Sequence, residues 1–213
     1  MAGVEAAWSA TQKKSLHATE RDTEENRRKR QAHLETLAAV APEDLIYVDE
    51  SGVSTQMTRL YGRARKGQRI RDRVPGGHWK ILTILGAMDH TGMLATMTVE
   101  SATDGDVFLA FLDQVLCPKL RAGHVVVMDN LSAHKVDGVR ERIEACGASV
   151  LYLPPYSPDL NPIEKAWSKL KARLRALAAR AMPQLEHATA QALQTITPQD
   201  AKAWLRLRFG DCT

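Results

Sequence analysis

Two short apolar runs that each stop on an aspartate constrain this chain more than any other feature. Leu45-Ile46-Tyr47-Val48-Asp49 and Val125-Val126-Val127-Met128-Asp129 are too short for helices, and continuous apolar runs of this length read as strands covered on both faces. Ile81 to Met88 and Met93 to Val99 flank Asp89-His90-Thr91-Gly92, turn chemistry between two β-rich runs and therefore a hairpin. Behind Asp104-Gly105-Asp106, the apolar residues Val107, Phe108, Phe111, Leu112, Val115 and Leu116 recur at helical spacing and stop before Pro118, with the aspartates as capping residues. Val139, Ile143 and Cys146 give a short amphipathic helix ended by Gly147, and Ser149 to Leu153 a fifth strand. The order β-β-β-α-β-α-β-α predicts an α/β fold, a mixed five-stranded sheet flanked by helices.

A chain of 213 residues, 44 % hydrophobic and 25 % charged, buries one substantial core with an appended arm. Residues 1–44 read as a charged helical arm, because Leu16, Leu34, Leu37 and Val40 are too sparse around Arg27-Arg28-Lys29-Arg30 to make a core of their own. Residues 45–182 read as the main domain and 183–213 as a helical extension holding Trp204 and Leu207. The last long helix starts at Pro162, with Ile163, Trp167, Leu170, Leu174 and Leu177 as one apolar stripe. No stretch has the length of a membrane span, and the first residues lack the order of a signal peptide, so the expected location is the cytoplasm. Cys117, Cys146 and Cys212 are odd in number and far apart, which predicts reduced structural thiols. The seven histidines form no His-Glu-x-x-His pattern, which argues against a zinc enzyme.

Asp49 and Asp129 end strands that would lie side by side if the first and fourth strands were neighbours, at the edge where open α/β sheets place their ligands. Glu164, in the first turn of the last long helix, can fold back over the same edge. Three carboxylates in a chain of net charge +4 suggest a metal site where a polyanion docks. In-line displacement at a phosphodiester needs an activated nucleophile, a stabilised leaving oxygen and a neutralised phosphate, and two divalent ions about 3.5–4 Å apart supply all three. Magnesium takes hard oxygen ligands and keeps several waters, so Mg2+, with Mn2+ as substitute, is the expected cofactor, two ions per site. The bland alternatives are a turn or cap for each aspartate and, for Glu164, a capping box with Asn161 as N-cap and Pro162 at the first helical position. Lys171 and Arg175 recur on the face of Glu164 and could hold phosphates. Glu50 follows Asp49, but strand alternation sends it to the opposite face and away from the site; Asp159 is at best a supporting group.

Arg59 to Arg73 carries seven Arg or Lys in fifteen positions, among them Arg63, Arg65, Lys66 and Arg69, with Tyr61 between them. Such a segment is either a solvated loop or a set of phosphate contacts with a base-stacking ring; a DNA-contacting insertion between the first two strands is the favoured reading. Gly62-x-x-x-x-Gly67 is followed by Gln68-Arg69 and lacks the Lys-Ser/Thr of a phosphate loop. Asn130 and His134 either decorate a helix start or orient a phosphate or water near Asp129. Trp79 and Trp167 are expected in the core.

Three motifs in order, Val48-Asp49-Glu50-Ser51-Gly52, Met128-Asp129-Asn130-Leu131-Ser132-Ala133-His134-Lys135, and Leu153-Pro154-Pro155-Tyr156-Ser157-Pro158-Asp159-Leu160-Asn161-Pro162-Ile163-Glu164, resemble the DDE transposases of bacterial insertion sequences related to the mariner superfamily. The 34 residues between Asp129 and Glu164 match that group, and the resemblance spans roughly residues 10–180. It implies an RNase H-like, retroviral-integrase-type fold and a magnesium-dependent reaction with Asp49, Asp129 and Glu164 as catalytic metal ligands. Water would attack the transposon ends, and the freed 3′ hydroxyl would attack target DNA, usually at a TA dinucleotide. It also implies double-stranded DNA as partner, a homodimer in a synaptic complex and a nucleoid-associated location. Complete members carry helix-turn-helix modules ahead of the catalytic domain, for which 44 residues leave no room; the expectation is a catalytic half served by a separately encoded DNA-reading half, or a truncated regulator. Another RNase H-like nuclease is the remaining alternative.

Overall fold

The computed structural model describes residues 18–210 except 60 and 75, with side chains through residue 206. The expectations for Leu16 and Cys212 lie outside the described residues, as does the side chain of Leu207. β1 (Leu45–Ser54), β2 (Ile81–Asp89), β3 (Gly92–Val99), β4 (Val125–Met128) and β5 (Ser149–Tyr152) form one sheet in the order β3-β2-β1-β4-β5. The pairs β1–β2 and β2–β3 are antiparallel, while β1–β4 and β4–β5 are parallel. Asp89 makes the hairpin turn by accepting from the backbone N–H of Thr91 at 2.6 Å, and Gly92 enters β3 at φ 128°, a conformation open to glycine. The parallel pairs require crossovers, and helices provide them.

The first crossover is α2 (Gly105–Phe111), capped by Asp104, whose carboxylate accepts from Val107 N–H at 2.9 Å. The sequence pattern continues as helix to Leu116, but Leu112–Leu116 widens into a π-turn before Pro118, which has no N–H to continue the ladder. α3 (Val139–Ala145) links β4 to β5. α4 (Ile163–Leu177), α5 (Met182–Leu193) and α6 (Pro198–Gly210) follow β5. The amphipathic stripe of α4 is buried from Ile163 through Leu174, whereas Leu177 is exposed, because the helix stops there on Ala178 in the left-handed conformation.

Alternation along β1 divides the core into two faces. Tyr47 and Val53 pack with Trp167, Leu170 and Leu174 of α4 and with Leu185, Ala192 and Leu205 of α5 and α6. Ile46 and Val48 pack on the other face with Phe108, Phe111 and Leu112, and with Val139 and Ile143 of α3. The same alternation aims Asp49 at α4 and Glu50 at the α2 side. α1 (Glu24–Ala38), N-capped by Thr23, is charge-dense yet docks: Arg30, His33 and Leu37 are buried, and Leu37 joins the α4 face of the core. Among the described residues no helix is long and apolar enough to cross a membrane.

Candidate active site

Asp49 does not end its strand as the sequence suggested. β1 runs on to Ser54, because Ser51 and Val53 stay buried and remain paired with β2. What ends near Asp49 is the parallel pairing: β1 and β4 are in register from Leu45 with Val125 to Tyr47 with Val127, and β4 stops at Met128. Continuing that register sets Asp129 beside Asp49 where the sheet opens.

The partner of Asp49 on β2 is Gly86, which makes room for a large side chain. A Cβ on Gly86 would lie 2.5 Å from Trp167 Cη2, so the indole of α4 occupies the space the glycine leaves. From there Trp167 Nε1–H donates to Asp49 Oδ2 at 3.1 Å. Burial, then the negative charge of Glu164 and, more weakly, that of Asp129, push the Asp49 carboxyl up to about 7 against the opposing hydrogen bonds from Glu50 N–H and Trp167. A buried carboxylate facing two others holds its proton in this way.

Asp129 is half-buried and held by its own loop and by His134. Its Oδ1 accepts from Leu131 N–H at 3.0 Å and lies 2.7 Å from His134 Nδ1. The other ring nitrogen of His134 is 3.0 Å from Glu50 Oε1, and the ring lies against Phe108, centroids 4.3 Å apart. Burial alone would depress the imidazole, but the two carboxylates outweigh it and raise the group to about 9. His134 is therefore a buried cation at neutral pH. Burial raises Asp129, and the bonds from His134 and Leu131 with the charge of Lys135 bring it below its ordinary value. The position of Glu50 corrects one sequence reading. It does leave by the opposite face from Asp49, yet it reaches the site through His134, whose two ring nitrogens face Glu50 and Asp129.

Glu164 opens α4 from the loop that follows β5. The capping-box alternative is not realised: the helix begins at Ile163 after Pro162, and no side chain caps it. Asn161 instead accepts the Glu164 N–H through its carbonyl at 3.2 Å, leaving the Glu164 carboxylate exposed on the pocket wall. Asp49, Asp129 and Glu164 together line one pocket of about 280 Å³, walled by Leu131 and by the loop from Leu153 to Asn161. Asn130 ties that loop to β4, its side-chain amide donating to Leu153 O. Among the described residues no cluster of three or more His, Cys, Asp and Glu is gathered tightly enough to enclose a metal ion. The donor set still fits a hard divalent cation, being all carboxylate oxygen, and such a cation would offset the burial and the neighbouring negative charge that raise the Asp49 carboxyl.

The expected cations fall into two places. Arg63, Arg65, Lys66 and Arg69 lie in the exposed segment joining β1 to β2, with Tyr61 90 % exposed. Lys171 and Arg175 lie on α4, partly exposed, at helical spacings that return to the face of Glu164. None of the six lines the pocket. Trp79 is 54 % exposed, against expectation, because it lies in the irregular stretch before β2 with no apolar element over it among the described residues; Trp167 is buried as expected. Sequence reasoning missed Arg30. Its buried guanidinium forks onto Asp159 at 3.1 and 2.7 Å, and the spacing of Arg30, His33 and Leu37 on one helical face was the available signal.

A mixed five-stranded sheet in this order, flanked by helices on both faces, is an RNase H-like fold. The family model described as DDE superfamily endonuclease matches residues 44–186, and the chain belongs to that family. Among solved structures, the Mos1 transposase paired-end complex with left transposon end has a TM-score of 0.74 at 16 % identity, covering 93 % of this chain and 63 % of that one. The Mos1 mariner paired-end complex with Mg has a TM-score of 0.70 at 17 % identity, over 94 % and 64 %. The catalytic domain of Mos1 mariner transposase has 0.65 at 13 % identity, over 91 % of each chain. The chain thus spans less than two thirds of the Mos1 chains in the paired-end complexes and nearly all of that catalytic domain. No curated protein sequence matches it.

Proposed function

We propose that this chain is the catalytic part of a DNA transposase, cutting the ends of a mobile element and joining them to target DNA. The observation that carries this reading is the meeting of Asp49, Asp129 and Glu164, from three different elements, in one pocket, with the proton affinity of Asp49 raised first by burial and then by the charges of the other two. The three carboxylates would hold Mg2+ or Mn2+, two ions per site, supplying Lewis-acid neutralisation of phosphate charge and an activated oxygen nucleophile. The chain's own residues do the rest. Trp167 fixes the Asp49 carboxylate from one face, His134 fixes Asp129 from the other, and the pocket wall limits the approach of the DNA strand to one side.

Double-stranded DNA is the proposed substrate, with Arg63, Arg65, Lys66 and Arg69 of the long β1–β2 segment and Lys171 and Arg175 of α4 as phosphate contacts. Paired-end complexes are described for Mos1, and they support two copies of this chain acting on two ends. A separately encoded helix-turn-helix half would choose the end sequence. The test uses labelled DNA carrying the sequences that flank the reading frame, the purified chain, and Mg2+ or Mn2+. Cleavage with joining, read by sequencing the joined products for insertion at TA, supports the transposase. Cleavage without joining indicates a nuclease of the same fold, and binding without cleavage a regulator.

A further inference from the structure

The loop that delivers Glu164 is long, proline-rich and poorly anchored by its own backbone. From Pro154 to Asn161, among the described residues, its backbone donors bond only within the loop, Leu160 N–H to Ser157 O and Asn161 N–H to Pro158 O, both at 3.0 Å. Tyr156 holds a left-handed conformation at φ 55°, which a non-glycine residue keeps only under constraint from its surroundings. Yet this loop supplies most of the pocket wall. One end is tied to β4 by Asn130, and Leu160 is buried in the core. The remaining anchor comes from outside the sheet. Asp159 Oδ1 and Oδ2 accept from the two terminal nitrogens of Arg30 on α1, and Oδ2 also accepts from Arg21 at 3.2 Å.

This is a fork of two parallel bonds, the geometry that fixes orientation as well as distance. The Arg30 side chain is only 11 % exposed, and Leu37, two turns along the same helix, is locked in the core, so the guanidinium starts from a rigid base. We propose that Arg30 is a positioning residue, holding through Asp159 the loop that sets Glu164 and walls the carboxylate pocket. The proposal rests on the reading of the triad as the metal-binding centre. The charged helix that precedes the sheet is then a working part of the active site. A shift of α1, such as a DNA-reading half engaged upstream could impose, would be felt at Glu164.

The test compares the full chain with Arg30→Ala, Arg30→Lys, Asp159→Asn and the exchanged pair Arg30→Asp/Asp159→Arg. Three readouts are taken: Mn2+ affinity by electron paramagnetic resonance, protease cleavage near Tyr156 without metal, and kcat and KM for DNA cleavage. Arg30→Ala and Asp159→Asn are expected to weaken Mn2+ binding, speed cleavage of the loop and lower kcat roughly tenfold to a hundredfold, the penalty of a misplaced catalytic group, with KM for DNA little changed. Arg30→Lys keeps the charge but not the fork and falls between; the exchanged pair recovers a large part of the loss. Folded variants with wild-type Mn2+ affinity and loop resistance overturn the proposal, as does an exchanged pair no better than its singles. Should the wild-type chain bind Mn2+ at the triad but leave DNA uncut, the transposase reading fails while the first two readouts still decide the role of Arg30.

Discussion

Replacing Asp49 by asparagine should stabilise the metal-free protein while abolishing its chemistry. The folded carboxyl is pushed up to about 7 from 3.8, a difference of roughly three units, or about 4 kcal/mol at ~1.4 kcal/mol per unit. The sign follows from proton binding. Between pH 4 and 7 the folded state keeps a proton that the unfolded chain has released, so stability falls as pH rises through that window and levels off above it. Asparagine carries no charge at any of these pH values, and its side-chain oxygen can still accept from Trp167 Nε1–H. In EDTA at pH 7.5, Asp49→Asn should therefore gain about 2–4 kcal/mol, the lower figure allowing for relaxation of the site, and Tm moves roughly 2–4 °C per kcal/mol for a chain of this length. At pH 4.5 the gain should shrink to about 1 kcal/mol or less. Calorimetry at both pH values, with and without Mg2+, reads all of this, and Mg2+ should raise the Tm of wild type more than that of the variant. A variant less stable than wild type at pH 7.5, or one that gains equally at both pH values, would refute the electrostatic account of the site.

Gly86→Ala should lose about 1–3 kcal/mol in denaturant unfolding, because its Cβ would collide with Trp167 and with Met93 Cε at 2.9 Å and drive the indole off Asp49. His134→Ala should lose about 2–4 kcal/mol by leaving the largely buried Glu50 side chain without its partner, and Glu50→Gln in the same chain should recover part of that loss in a double-mutant cycle. Changing Arg63, Arg65, Lys66 and Arg69 together to alanine should flatten the dependence of log affinity for DNA on log salt by up to about 3.6, four contacts at ~0.9 each; an unchanged slope would remove that segment from the DNA interface.

Much of the fold was legible because its signals are local. The two aspartate-ended runs, the hairpin turn and the α4 stripe declared their elements through apolar period and turn chemistry, whereas the pairing of β1 with β4 was a condition the runs left open. The apolar runs singled out Asp49 and Asp129, and Glu164 rested on the family resemblance; the three line one pocket. What was hidden depends on contacts between distant parts. Nothing local says that β1 continues past Asp49, because its extension is fixed by pairing with β2 rather than by composition. Glu50 was set aside on strand alternation, which is correct for the strand but silent about a histidine that faces both Glu50 and Asp129. Arg30 read as one more charge in a basic run, since its burial depends on Asp159, 129 residues away. Trp79 was expected inside because tryptophan usually is, and only the absence of a covering element among the described residues leaves it out.

The central claim, that Asp49, Asp129 and Glu164 form a metal-dependent phosphodiester-cleaving centre, is tested most directly by nicking of a supercoiled plasmid carrying the DNA that flanks the reading frame, run for wild type and for Asp129→Asn. The account predicts nicking by wild type that requires Mg2+ or Mn2+ and is lost in Asp129→Asn, with DNA affinity retained. Nicking by Asp129→Asn at the wild-type rate, or by wild type in EDTA, would contradict it.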